Sequence, residues 1–262
     1  MVLYKYQGAG NDFLMADNRE GELRLDVETV QSLCDRHYGV GADGVILIGT
    51  APGYDFSMEF FNPDGSTGMM CGNGGRCAVA FAAALGLKGF DFLGPDGPHK
   101  GEILSQEGKV KTVSIGMKDV NGYEFIGDKV FLDTGTRHLV VPVQGIGEFD
   151  VYNEGKRLRY DPRFAPVGTN VDFIEWDGKV LNVRTYEKGV EDETLACGTG
   201  IVASALGSFL FNKGEAGRYE TPVRSRRDDL SVAFTAVPVK EGMSFREVAL
   251  TGPAAFVARV EL

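Results

Sequence analysis

The sequence predicts an α+β protein of two pseudo-symmetric lobes, each a mixed β-sheet wrapped around a central hydrophobic helix, with an active site in the cleft between them. Three observations predict it. First, Met70-Cys71-Gly72-Asn73-Gly74 and Ala196-Cys197-Gly198-Thr199-Gly200 place two cysteines 126 positions apart, close to half of the 262 residues. Second, Gly-rich turns recur at nearly that offset: Val40-Gly-Ala-Asp43 matches Val167-Gly-Thr-Asn170, and Gly8-Ala-Gly-Asn11 matches Gly135-Thr-Arg-His138. Matches in one order mark an internal repeat, and a repeat governs every local reading that follows. Third, the stretch after each cysteine is too hydrophobic to face water, so each lobe needs a sheet around it.

The elements follow in chain order. A helix is expected over residues 27–36. Gly44-Val-Ile-Leu-Ile and Phe56-Ser-Met-Glu-Phe-Phe are β-branched and aromatic runs that read as strands. Turns such as Asn62-Pro-Asp-Gly divide them. The first central helix begins just after Cys71 and includes Ala78-Val-Ala-Phe-Ala-Ala-Ala-Leu. The boundary between lobes is expected between Gly122 and Asp128. A first lobe over 1–124 then carries Cys71, and a second over 125–249 carries Cys197. Residues 250–262 are expected to return to the first lobe as a final strand. In the second lobe Val180-Leu-Asn-Val-Arg-Thr-Tyr reads as a strand, and the second central helix starts after Cys197.

Bulk composition narrows the function. Hydrophobic residues are 43% and charged residues 24%, ordinary for a globular chain long enough to bury a core without staples. Lys and Arg number 27 against 37 Asp and Glu, a formal charge of −10. That balance repels nucleic acids and anionic membranes, whereas local donors can still hold a small anionic substrate. The most apolar stretch, residues 77–87, falls short of a membrane span of roughly 20 residues. No export signal opens the chain, so a cytoplasmic protein with reduced thiols is expected.

The chemistry is argued from Cys71 and Cys197. A cysteine just before a helix that opens on glycine lies among unsatisfied N–H groups and the positive end of the helix dipole. Such a position favours the thiolate. The same N–H groups can bind a carboxylate, and glycine lets its backbone approach. Two such devices suit the inversion of an α-carbon, because one group removes a proton from one face while the other delivers a proton to the opposite face. No pyridoxal-phosphate lysine motif is evident, so no cofactor is expected and the developing charge must be stabilised by helix-end dipoles. No Cys-x₂-Cys or paired histidine spacing occurs, so no metal is expected. Cys34 and Cys77 read as buried small hydrophobes.

These residues resemble the diaminopimelate epimerase family over essentially the whole chain. Asn62-Pro-Asp-Gly-Ser66 followed by Cys71-Gly-Asn-Gly-Gly-Arg76 matches the family's first cysteine motif in full. Tyr186-Glu-Lys-Gly189 and Glu193-Thr-Leu-Ala-Cys197-Gly-Thr-Gly200 are similar to its second. Gly8-Ala-Gly-Asn-Asp-Phe13 and Gly41-Ala-Asp-Gly44 are also like the family's. The resemblance implies conversion of LL-2,6-diaminopimelate to the meso form by a pyridoxal-independent, two-thiol mechanism, for lysine and peptidoglycan precursors. It further implies a homodimer.

Carried over by position, Asn11, Asn62, Asn170 and Glu187 look like the residues that hold the distal amino-acid group, with Lys188 addressing its carboxylate. Gly72, Asn73, Gly198 and Thr199 would offer N–H groups to the reacting carboxylate, and His138 looks like the family's histidine beside the thiols. Thr136 and Arg137 stand where many members read Asn-Pro, and Lys188 where Arg is common; these departures bear on distal-group recognition. Rival readings are a racemase of another amino acid, a phenazine-type isomerase (disfavoured because that type lacks the cysteine pair), and a non-catalytic amino-acid-binding protein.

Overall fold

The computed structural model describes all residues, Met1–Leu262. Two compact units divide the chain: Met1–Ile115 with Gly252–Leu262, and Gly116–Thr251.

The first unit contains β1 (Val2–Gly8), β2 (Asn11–Asp17), α1 (Val27–Cys34), β3 (Val45–Gly49), β4 (Phe56–Phe61), α2 (Gly72–Ala84), β5 (Phe92–Gly94), β6 (Gly97–His99), β7 (Gly101–Glu107) and β8 (Val110–Gly116). Its sheet runs β7-β8, then the end of a long last strand, then β1-β2-β3-β4-β5-β6. The β2–β3 and β4–β5 pairs are parallel and the others antiparallel, so the sheet is mixed.

The middle of strand β2, Phe13-Leu-Met-Ala16, is apolar and buried at every position. Leu14 and Ala16 join a core with α1, including Val30 and Leu33. The intervening side chains point to the opposite face, where Phe13 lies close to Gly74 of α2. A strand buried on both faces reads as a continuous apolar run. Helix α2 is buried along nearly its whole length, and Phe81 packs on the rings of Tyr4 and Tyr6.

Helix α1 ends at Cys34, two residues before the expected end. Asp35 turns to extended backbone, and its carboxylate accepts the His37 and Tyr38 N–H groups, a turn that competes with continued helix.

The second unit contains β9 (Tyr123–Ile126), β10 (Lys129–Asp133), β11 (Arg137–Pro142), α3 (Val151–Arg159), β12 (Asn170–Trp176), β13 (Leu181–Glu187), β14 (Asp192–Thr194), α4 (Gly198–Phe211), β15 (Gly217–Arg224), β16 (Asp229–Val239) and the first half of β17 (Gly242–Glu261). Its sheet runs β9-β10-β11-β12-β13-β15-β16-β17, with β14 also paired to β13. Leu139, Val141, Val171, Phe173 and Tyr186 face α3. His138 and Val140 point to the other face, toward α4, where Gly207 admits Val140 closely.

Residues 116–124, placed in the first lobe by the sequence, go with the second unit instead. The cause is long-range pairing: Met117 N–H donates to Val248 O at 2.7 Å, and Val120 and Phe245 exchange backbone bonds of 2.9 and 2.7 Å. Residues 252–262 pair with β1 and β8 in the first unit. No helix is long and apolar enough to cross a membrane.

Candidate active site

In the first unit Cys71 is the N-cap of α2, in extended backbone, with its carbonyl accepting the Gly75 N–H at 2.8 Å. Its side chain does not cap the helix. Instead Sγ reaches Asn11 Oδ1 at 3.6 Å, and Asn73 Nδ2 donates to the same oxygen at 3.5 Å. Arg76, fully buried, orients Asn73 by donating to its Oδ1 at 2.8 Å. Asn11 is oriented in turn by Asp43, whose Oδ2 accepts from Nδ2 at 2.6 Å. A Cβ at Gly8 would stand 3.0 Å from the Asn73 carbonyl oxygen, a tight approach that glycine avoids.

The Asn11–Asp43 contact is braced by charge. Asp12 pairs with Lys5 Nζ at 2.8 Å and Arg36 Nη2 at 2.6 Å, and Arg36 also reaches Asp43. Burial alone would raise the Asp12 carboxyl, but the Arg36 and Lys5 contacts pull it down to about 2. A depressed folded-state pKa contributes stability above the unfolded value of 3.8 that is lost as pH falls through about 2. Acid titration followed by circular dichroism should therefore show about 1–2 kcal/mol of stability disappearing between those pH values in the wild type. Asp12→Asn should remove that component.

In the second unit Cys197 is the N-cap of α4, again in extended backbone, with its carbonyl accepting the Ile201 N–H at 2.8 Å. Sγ lies 3.4 Å from Thr199 Oγ1, which lies 3.0 Å from His138 Nε2. His138 Nδ1 meets Asp172 Oδ2 at 2.7 Å, and both side chains are wholly buried. Thr185 donates to Asp172 Oδ1 at 2.7 Å. Thr136 Oγ1 stands 2.9 Å from His138 Nε2 and 3.1 Å from Thr199 Oγ1. Asn170 Nδ2 donates to the Arg137 carbonyl at 2.9 Å, and its Oδ1 accepts the Lys188 N–H at 2.8 Å.

The two units thus repeat one local pattern with different chemistry. Asn11 and Asn73 stand around Cys71 as His138 and Thr199 stand around Cys197. Gly74 is packed by Ile46, whereas Gly200 is packed by Asp172. Asn170 and His138 belong to the second arrangement, and Glu187 acts on Cys197 through its charge. Asn62 is different: its Nδ2 donates to Ser66 Oγ at 3.0 Å, within its own turn.

Burial pushes the Cys197 thiol well up, and the Glu187 and Asp172 charges push it further. The Thr199 hydroxyl and Gly200 N–H work the other way but do not prevail. The lowering expected at a helix N-terminus is therefore outweighed here. Burial also raises Cys77 to about 12 and Cys34 to about 11, and both side chains are buried in packing, Cys34 in the core around α1.

The departures at 136 and 137 separate cleanly. Thr136 contributes its hydroxyl to the His138 network. The Arg137 side chain leaves the opposite face of β11 and lines a surface concavity of about 710 Å³ with Phe125, Phe131 and Phe164. Sequence reasoning missed Asp172, Thr185, Asp43 and Arg76. Asp43 and Arg76 lie inside motifs quoted above, Gly41-Ala-Asp-Gly44 and Cys71-Gly-Asn-Gly-Gly-Arg76, and Asp172 falls two residues after Asn170 on β12, so those two share a face.

Comparison with known proteins adds to this geometry. The sequence profile of the family described as diaminopimelate epimerase matches residues 3–119 and 130–240. The chain is 40% identical over 261 residues to the diaminopimelate epimerase of Flavobacterium psychrophilum, covering 98% of each. It is 40% identical over 275 residues to that of Aquifex aeolicus, covering 96% of this chain and 94% of the relative. Among solved structures, a Bacillus anthracis phenazine biosynthesis protein of the PhzF family superposes with a TM-score of 0.77 at 16% identity, covering 100% of this chain and 98% of that one. A probable proline racemase from Agrobacterium radiobacter gives a TM-score of 0.74 at 16% identity, covering 100% and 92%. At that identity the last two speak for the fold alone.

Proposed function

Because the chain belongs to the diaminopimelate epimerase family, we propose that Cys71 and Cys197 are its two proton-transfer groups, one as thiolate and one as thiol. The protein is an isomerase that converts LL-2,6-diaminopimelate to the meso isomer, a step toward lysine and peptidoglycan precursors. The observation that carries the two-thiol reading is the equivalence of the cysteines. Each is the extended N-cap of a buried, apolar helix that opens on glycine, and neither spends its side chain on capping.

The chemistry follows from that position. First-turn N–H groups of a helix have no partner within it, so Gly72, Asn73, Gly198 and Thr199 can donate to the reacting carboxylate. Those donors stabilise the charge that develops as the α-proton leaves. In the direction in which Cys71 is base, Cys197 serves as acid, and the reverse reaction exchanges the roles. Asn11, Asn170 and Glu187 serve the distal amino-acid group together with Lys188, and Asn62 is added on its motif alone. No cofactor takes part in this mechanism. A cytoplasmic homodimer completes the reading.

Incubation with LL-diaminopimelate in D₂O, with reductant and chelator and without pyridoxal phosphate, tests it. Deuterium should enter one α-position as the meso isomer appears. Exchange into another amino acid but not diaminopimelate would select the rival racemase. Loss of turnover on chelation would count against the cofactor-free mechanism.

A further inference from the structure

We propose that Asp172 is a positioning residue for Cys197, holding the His138 ring so that Nε2 takes the proton that leaves Cys197 by way of the Thr199 hydroxyl. The inference rests on the reading of Cys197 as a proton-transfer group. An ionised Asp172 accepts hydrogen bonds only, so at 2.7 Å it requires a hydrogen on His138 Nδ1. Nε2 of the neutral ring is then an acceptor, and Thr199 Oγ1 stands 3.0 Å from it and 3.4 Å from Cys197 Sγ.

The step balances within these groups. The Sγ–H bond breaks as a new Oγ1–H bond forms, and the original Oγ1–H bond breaks as Nε2–H forms. The products are a thiolate and an imidazolium, and the imidazolium faces the Asp172 carboxylate. This is the orienting logic of a nucleophile–base–carboxylate arrangement, with a hydroxyl interposed.

Packing alone gives no reason for a carboxylate here. A buried charge costs several kcal/mol unless well paired, and the equivalent place in the first unit is filled by Ile46 against Gly74. Asp172 instead spends both oxygens, one on His138 and one on Thr185. The charged or titratable groups that bear on Cys197 are Asp172 on β12, His138 on β11 and Glu187 at the end of β13; α4 contributes only Gly198, Thr199 and Gly200 in its first turn.

The test is a titration of Cys197 by NMR with ¹³Cβ-labelled cysteine, the signal being assigned by its absence in Cys197→Ala. Asp172→Asn should raise the ionisation midpoint of Cys197 by about one pH unit, a tenfold smaller thiolate fraction. Thr199→Val should do the same without touching the buried carboxylate, and Thr199→Ser should restore the wild-type midpoint. The acid limb of the kcat/KM profile should move with the midpoint. If Asp172 acted only through its field, Asp172→Asn would remove a negative charge and lower the midpoint, which would overturn the proposal; an unmoved midpoint in Thr199→Val would overturn it as well. Should Cys197→Ala retain epimerase activity, the two-thiol reading itself fails. If that variant is inactive while the midpoints stay in place, only the relay fails.

Discussion

Cys71→Ala and Cys197→Ala should each lower epimerisation by about 10²–10⁴-fold, the range that a positioned acid or base supplies. The more telling outcome is what survives. With Cys197 gone, Cys71 can still remove and return the α-proton on its own face. One stereoisomer of diaminopimelate should then exchange deuterium without inverting, and Cys71→Ala should show the complementary preference. Neither change removes much packing, so both variants should melt within a few degrees of the wild type. The pair would not be the reacting groups if either variant inverted substrate within tenfold of the wild-type rate.

Gly200→Ala should have the largest effect on stability of any single methyl group added to α4. A Cβ at Gly200 would stand 2.4 Å from Asp172 Oδ1 and 3.3 Å from Cys197 Cβ. The carboxylate cannot step aside cheaply, because His138 and Thr185 hold its two oxygens at 2.7 Å each in a site closed to solvent. Disrupting a buried pair of this kind costs about 3–5 kcal/mol, and the better helix propensity of Ala returns only about 1 kcal/mol. Thermal denaturation should show Tm falling by about 5–15 °C, with epimerase activity falling alongside. Gly147→Ala is the control, since nothing lies within 4 Å of a Cβ there. A Gly200→Ala protein that melts like the wild type would show that Asp172 is not fixed as described.

What could be read from the chain follows from how local each signal was. The two central helices were legible because their apolar runs admit no exposed face, and the repeat was legible because both begin on Cys-Gly. The same offset had already aligned Asn11 with His138, although their roles were argued from family likeness and not from that alignment. Helix α1 overran by two residues because Asp35 is compatible with helix until its carboxylate finds two N–H groups beyond it. The lobe boundary was misplaced because nothing near residues 116–124 announces their pairing with Phe245 and Val248. Asn62 was assigned by its motif, while its amide is engaged with Ser66. Asp172 was overlooked because a carboxylate in a strand that also carries Glu175 draws notice only once its partners, Thr185 and His138, are in place.

Strand β17 sets an order of events during synthesis. Its last residues, 252–262, belong to the unit that otherwise ends at Ile115, where they lie between β1 and β8. A ribosome that has finished residue 115 has therefore made a sheet with a gap in it, and must translate the entire second unit before the missing strand exists. Through that interval β1 and β8 each present an unpaired edge, the kind of surface that recruits strands from other chains. The second unit needs only residues inside its own span, Gly116–Thr251, and can close first. The unit begun first is the one completed last, which makes it the point at which crowding or a chaperone would act on the yield of this protein.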